Sequence, residues 1–354
     1  MKFMLIEGVF AAVSTPFYPD ERVYLRKLEA NMAHYSRSLL AGMVVLGSTG
    51  ESPLLNDEES RQVLRVAAEA AAAEKVLIAG VSRESVKATL ELAEIAAVAG
   101  YDALLVRTPT YYARQLNATL VLHYFHCVAD RAPLPVLLYN IPACVPYTIP
   151  VEVVVELAQH PNIIGIKDSL GDVERMAQIV AATQSTPRRA TTVTPVFEAV
   201  TERMKMAHGR ESQSTISAGD LSAGAAVSTT APASVLKTRS REVGFQVLCG
   251  NESTMLASLE AGASGAILGF AACAPQACQE VYLTWKDRSF ELARDNQERI
   301  AVPGRRIVGQ LGIAGIKYAC DFNGYYGGYP RSPLVPLTAG QKQEVEALLA
   351  NVRS

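Results

Sequence analysis

Asn162-Ile163-Ile164-Gly165-Ile166-Lys167-Asp168-Ser169 is a β-branched apolar run that carries one lysine near its end, and a helical pattern opens soon after, at Asp172. A buried parallel strand delivers a side chain to the rim of a barrel in this way, because barrel active sites are built at the C-terminal ends of strands. An amine there, partly desolvated, is expected to have a lowered pKa and to attack a ketone to give a Schiff base. Alone, a strand-end lysine more often points into water. The reading therefore depends on what the other strands end in.

Outward from this stretch the chain alternates short apolar runs with amphipathic segments. Strands are expected at Val9–Ser14, Met43–Leu46, Val76–Gly80, Ala103–Val106, Val136–Tyr139, Ile163–Ile166, Phe245–Cys249 and Gly265–Leu268. Helices are expected at Leu25–Leu40, Asp57–Ala73, Ser85–Ala99, Asn117–Ala129, Pro150–Gln159, Asp172–Ala182 and Glu252–Ala261, with Ser85 and Asp57 as N-caps. Eight strands with helical crossovers give an α/β fold, a (β/α)8 TIM barrel, and no GxGxxG follows the first strand to suggest a dinucleotide fold. After the eighth strand the pattern is purely helical, near Pro275–Asn296, Val302–Asp321 and Thr338–Val352. The expected division is a barrel over 1–284 and a C-terminal helical appendage over 285–354.

One stretch breaks the rhythm. Residues from about 187 to 242, between the sixth helix and the seventh strand, are rich in Ala, Ser and Thr, with Phe197 their one Phe, Tyr or Trp. Helix-to-strand loops usually run about two to six residues, so this is an insertion. Thr194-Pro195 is expected to open a helix reaching about His208, and Gly209 to Ala233 reads as flexible. Such loops lie on the barrel face opposite the active site, which makes the insertion an expected surface appendage.

Composition narrows the partners. The chain has 354 residues, is 49% hydrophobic, and carries 33 Lys+Arg against 35 Asp+Glu, a net charge of −2 with no basic run, so nucleic acid is not an expected partner. Of two uncharged stretches, Ala132–Val151 holds five prolines and Ala261–Gln279 is broken by glycines and Pro275, so neither reads as a membrane span. With Glu7 inside the first apolar run and no cleavage pattern, the expectation is a soluble cytoplasmic protein. The six cysteines form no CxxC pair, and His123 and His126 beside Cys127 lack further ligands. Neither a metal nor a cofactor is expected.

Three strands end in unusual polar sequences: Gly47-Ser48-Thr49-Gly50-Glu51, Tyr139-Asn140-Ile141-Pro142, and Lys167 itself. In a barrel all three line one mouth. Lys167 is the candidate nucleophile. Tyr139 is the candidate proton mover, needing a hydroxyl relay for which Ser48, Thr49 and Tyr111 are available. The glycines around Ser48-Thr49 free backbone N–H groups for a carboxylate. Each motif alone has a plain alternative, such as a turn, a phosphate cradle or a packed rim aromatic; together they point to one site.

With Thr108-Pro109-Thr110-Tyr111-Tyr112 and Gly165-Ile166-Lys167-Asp168 added, the motifs stand in an order that resembles the dihydrodipicolinate synthase / N-acetylneuraminate lyase family of Schiff-base aldolases. The resemblance spans nearly the whole chain apart from the insertion. It implies Lys167 as the Schiff-base lysine, Tyr139 as the acid/base tyrosine, and Ser48 and Thr49 as the carboxylate-binding and relay pair. It also implies Tyr111 as a relay tyrosine contributed across a subunit interface, and Gly250 and Ile267 as lining the keto-acid pocket, with Ser169 in the substrate-binding set. Pyruvate, no metal, and a homodimer or homotetramer are further implications.

Within the family, the position two residues after the Pro142 proline carries Arg in dihydrodipicolinate synthases and is Cys144 here; a thiol does not replace a bidentate guanidinium. The stretch His160–Ser169 with Gly171-Asp172-Val173, and the tail Phe322–Gly328 followed by Arg331, look most like 4-hydroxy-2-oxoglutarate aldolases, although Ser48-Thr49 is the pair of neuraminate lyases. The first expectation is a lyase that reversibly cleaves a 4-hydroxy-2-keto acid to pyruvate and an aldehyde. The alternatives are a 2-keto-3-deoxy sugar acid dehydratase or aldolase using the same imine, and a keto-acid-binding regulatory protein. A metal-dependent aldolase is weaker, since no carboxylate-histidine motif stands at a strand end.

Overall fold

The computed structural model of the chain describes residues 3–213 and 236–352. Eight parallel strands close into a barrel: β1 (Gly8–Ala12), β2 (Gly42–Val45), β3 (Val76–Gly80), β4 (Ala103–Arg107), β5 (Val136–Asn140) and β6 (Ile163–Asp168), completed by β9 (Gln246–Cys249) and β10 (Gly265–Leu268). Closure runs from β6 to β9, β10 and back to β1. Helices α1 (Leu25–Ser36), α2 (Asp57–Ala70), α3 (Val86–Val98), α4 (Ala118–Ala129), α5 (Val151–Leu157) and α6 (Val173–Ala182) cross between strands.

The strands are largely apolar because both faces are covered, with polar residues confined to their ends, such as Arg107, Asn140, Lys167, Asp168 and Gln246. Phe10, Val44, Ile78, Leu105, Leu137, Ile164, Leu248 and Ile267 fill the interior, and their neighbours Val9, Met43, Leu77, Leu104 and Leu138 pack outward on the helices. Gly165 is required by close approach: a Cβ there would lie 2.2 Å from the Gln246 carbonyl oxygen. The Gln246 side chain stitches the lead-in segment to β9, accepting from the Ile6 N–H at 2.6 Å and donating to the Met4 carbonyl at 2.9 Å.

Helix starts follow their caps. Ser85, Asn117 and Asp172 each accept from the backbone three residues on. At α2 the cap is Asn56, in a reciprocal capping box with Glu59, and Asp57 is the first helical residue rather than the cap expected of it.

The insertion contains strands that sequence patterning did not give. β7 (Arg189–Val193) and β8 (Arg239–Val243) pair antiparallel as a two-stranded sheet against the barrel's N-terminal end, where Thr191 donates to the Phe3 carbonyl, Arg241 pairs with Glu7 at 2.7 Å, and Arg189 donates to the Pro161 carbonyl. Thr194-Pro195 opens no helix: Phe197 at φ 65° turns the chain, Val193 bridges to Ala199, and α7 begins at Glu202, reaching Gln213. Arg203 of α7 docks on the Lys75 carbonyl and lies 3.9 Å from Asp102, whose buried carboxyl is pushed up to about 6 by desolvation. The expected flexible stretch falls, for its residues 214–233, outside the described residues.

After α8 (Met255–Glu260) and β10, the expected helix Pro275–Asn296 is two, α9 (Pro275–Lys286) and α10 (Phe290–Gly304), because Arg288 takes a left-handed φ of 61° and ends the first. The expected Val302–Asp321 helix is also divided. Pro303, with no N–H to donate, precedes a π-helical stretch Arg305–Gln310, and α11 is Gly312–Phe322. The last helix, α12, is Ala339–Leu349. Among the described residues no helix is long and apolar enough to cross a membrane.

Candidate active site

Lys167 and Tyr139 face each other in register on β6 and β5. Lys167 Nζ donates to Tyr139 Oη at 3.1 Å and lies 4.3 Å from the ring centroid. Both side chains are buried, at 5% and 6% exposure. Tyr139 belongs to the apolar interior with Leu248, Ile267, Ile141 and Val145.

Gly250 and Ser169 close one side of this pair. A Cβ on Gly250 would come within 2.1 Å of Ser169 Oγ and 3.0 Å of Lys167 Cε, so the glycine is what lets the lysine stem and the serine stand there together. Ser169 Oγ is buried and, among the described residues, has no hydrogen-bond partner, an unusual state for a hydroxyl. Ile267, expected in the pocket, lies fully buried in the same interior layer.

The Ser48–Gly50 turn after β2 is a single 3-10 turn closed by Gly50 N–H to the Gly47 carbonyl at 3.0 Å. Thr15 Oγ1 donates to the Gly50 carbonyl at 2.7 Å, and Thr49 is buried. Among the described residues no hydrogen bond joins Ser48 or Thr49 to Lys167 or Tyr139. Tyr111 is placed differently again. It is 80% exposed, edge-on to Tyr112 at 5.1 Å, and its hydroxyl reaches no residue of its own chain's site. Its backbone is nonetheless fixed: Glu84 accepts from the N–H groups of Thr110 and Tyr111 at 2.7 and 2.9 Å. These bonds, the Thr110 hydroxyl and the Arg107 charge outweigh desolvation and hold the Glu84 carboxyl below its usual range.

Two features escaped the sequence reading. Asp168 Oδ2 accepts from Asn140 at 3.1 Å and from Arg175 at 2.9 Å, tying β5, β6 and α6 together directly behind the lysine. Glu252, just past β9, is buried at 5% exposure with its stem against Gly304. Burial pushes its carboxyl up to about 7, against the opposing pull of its own backbone N–H and the Lys167 charge. The only signal for Glu252 was an acid two residues after a strand-end glycine, which a helix first turn explains equally well. His123 and His126 stay on α4, the former beside Cys127 and the latter 5.7 Å from the His160 ring, away from the mouth.

A closed (β/α)8 barrel with a buried lysine–tyrosine pair at adjoining strand ends defines a class of barrel enzymes that keep an amine in the mouth. The chain belongs to the dihydrodipicolinate synthetase family, whose model matches residues 5–191 and 224–352 and leaves out a span within the insertion. It is thus a class I aldolase/lyase of that family. It is 28% identical over 346 residues to an L-threo-3-deoxy-hexylosonate aldolase of Hypocrea jecorina, covering 96% of this chain and 93% of that protein. It is 27% identical over 348 residues to a 4-hydroxy-tetrahydrodipicolinate synthase of Acidiphilium cryptum (strain JF-5), covering 98% and 99%. A dihydrodipicolinate synthase from Acinetobacter baumannii, solved complexed with pyruvate, superposes with a TM-score of 0.77 at 24% identity over 98% of this chain and 99% of that one, a likeness of fold.

Proposed function

We propose that the enzyme reversibly cleaves a 4-hydroxy-2-keto acid into pyruvate and an aldehyde through an imine on Lys167. The 3.1 Å Lys167–Tyr139 contact inside a buried mouth carries this reading. The lysine lone pair attacks the C2 carbonyl, and water leaves as the protonated imine forms. Tyr139, left as a phenolate once its proton has gone to the departing water, takes the proton of the C4 hydroxyl while the C3–C4 bond breaks; the electrons of that bond pass to the imine, giving an enamine and freeing the aldehyde. Protonation at C3 and hydrolysis return pyruvate and the amine. The backbone of the Ser48-Thr49 turn binds the keto acid's carboxylate, with the unpartnered Ser169 hydroxyl beside the lysine as a further donor. Gly250 and Ile267 bound the pocket. Tyr111, exposed yet held by Glu84, acts as relay tyrosine for a partner's mouth in a homodimer or homotetramer.

The substrate class runs from 4-hydroxy-2-oxoglutarate, which the chain's motifs favour, to 3-deoxy-hexulosonates, which the Hypocrea jecorina relative's name favours. Cys144 supplies no guanidinium for a second carboxylate, which supports the uncharged sugar tail over the dicarboxylate at that position. Borohydride reduction with pyruvate, followed by peptide mass mapping, tests the mechanism: an adduct on Lys167 is expected, and an adduct elsewhere or none at all sinks it. Pyruvate release measured on both substrates then separates the two tails, and an intact carbon chain in the product replaces cleavage with dehydration.

A further inference from the structure

Glu51, which ends the Gly47–Glu51 motif, and Arg331, which follows the Phe322–Gly328 tail, have no part in the chemistry above, yet they meet. Glu51 stands at φ 54°, a left-handed conformation that a residue with a side chain keeps only when held there. Its side chain is wholly buried and is held twice by the C-terminal region. Oε1 lies 2.5 Å from Lys317 Nζ as an ion pair, and Oε2 accepts from the Arg331 N–H at 2.8 Å.

The holders are themselves fixed. Lys317, on α11, is 1% exposed, donates to the Tyr329 carbonyl at 2.6 Å and sits 4.2 Å over the Phe17 ring. Burial lowers its pKa, and the Glu51 charge opposes that shift. The Arg331 guanidinium covers the same ring at 4.3 Å, grips Glu59 with two bonds of 2.7 Å, and donates to the Leu54 carbonyl at 2.8 Å. Helix α11 and the loop after it thus clamp both ends of the segment from Glu51 to Glu59, with Ser48-Thr49 just before it, across Gly50.

We propose that Lys317 and Arg331 are positioning residues for the keto-acid carboxylate: they hold Glu51 in its left-handed turn, and that turn aims the Ser48 and Thr49 N–H groups. The proposal rests on the reading of Ser48-Thr49 as the carboxylate cradle and Lys167 as the nucleophile. Neither positioning residue touches Lys167 or Tyr139. Losing the lysine charge leaves a buried carboxylate without its counter-ion, which protonates or turns toward water and releases the φ 54° conformation. The cradle then binds more weakly, while bound keto acid reacts as before.

The test compares full-length wild type, Lys317→Met and Glu51→Gln, each checked for fold by circular dichroism, in the pyruvate concentration dependence of borohydride trapping on Lys167 and in KM and kcat for cleavage. Lys317→Met is expected to raise half-saturating pyruvate and KM by about tenfold or more, with saturated trapping and kcat within about twofold. Glu51→Gln, which keeps the acceptor shape without the charge, is expected to shift them by about threefold and carries the test if the methionine variant does not fold. Unchanged half-saturation in a folded variant, or a fall in kcat alone, overturns the positioning role. Absence of any wild-type adduct overturns the imine reading and this proposal with it, so the two failures are told apart by the wild type.

Discussion

Arg175 joins Asp168 to Ile149: its Nε donates to the carboxylate at 2.9 Å and its Nη2 to the backbone carbonyl at 2.6 Å. One guanidinium therefore sets both the residue after the lysine and the far end of the loop that follows Tyr139. Asn140 completes the clasp, donating to Asp168 and accepting from the Ile149 N–H at 3.1 Å. Arg175→Ala is expected to cost about 3–5 kcal/mol of stability, because Asp168, 4% exposed in its side chain, keeps a buried charge without its partner. Urea unfolding measures it, and a loss below about 1 kcal/mol would show the pair to be dispensable.

Gly250→Ala asks whether the lysine needs the space beside it. The new methyl overlaps Ser169 Oγ and presses on Lys167 Cε. Trapping with pyruvate is expected to fall by about a hundredfold in a protein that still folds, since misplacement near 1 Å costs that much. Wild-type trapping in the alanine variant would move the nucleophile's working position away from the glycine.

Removing the reacting groups should separate their roles. Lys167→Ala is expected to lose both adduct and cleavage. Tyr139→Phe keeps the ring that lies against the amine but lacks the hydroxyl; its kcat is expected to fall by about 10²–10⁴ while slow trapping persists. Full cleavage by either variant would remove that residue from the mechanism.

Glu252 predicts a pH dependence of stability. Its folded pKa of about 7 exceeds the ordinary glutamate value of 4.5, so the folded state binds the proton more tightly than the unfolded state does. Stability from this group is present below pH 4.5 and is lost as pH rises toward 7, by about 3 kcal/mol in all. Glu252→Gln removes the loss. The variant is expected to gain on wild type between pH 4.5 and 7 and to level off above pH 7 in denaturant midpoints, and parallel profiles would show that the carboxyl does not titrate there.

The barrel was legible because its strands are short and largely apolar, and Val76–Gly80 and Gly265–Leu268 stand where patterning placed them. The meeting of Tyr139 and Lys167 was legible for the same reason: strand ends converge by topology. The β7–β8 sheet was not. Its strands read Arg-Ala-Thr-Thr-Val and Arg-Ser-Arg-Glu-Val, and they are held by cross-strand bonds and contacts to Phe3 and Glu7 rather than by an apolar period. The break at Arg288 was hidden because a left-handed arginine leaves no mark in composition. The Asn140–Asp168 and Arg175–Ile149 bonds and the burial of Glu252 against Gly304 join residues well separated in sequence, and periodicity carries no information about such pairs.

The Gln246 amide that binds the Ile6 N–H and the Met4 carbonyl sets an order of events as well as a contact. β1 finds β2 within the first few dozen residues, but its other flank waits for β10, some 250 residues later in synthesis. Through most of translation the first strand is thus an open edge with unpaired amides. It is the place on the nascent chain where a chaperone, or an aggregating neighbour, has longest to act.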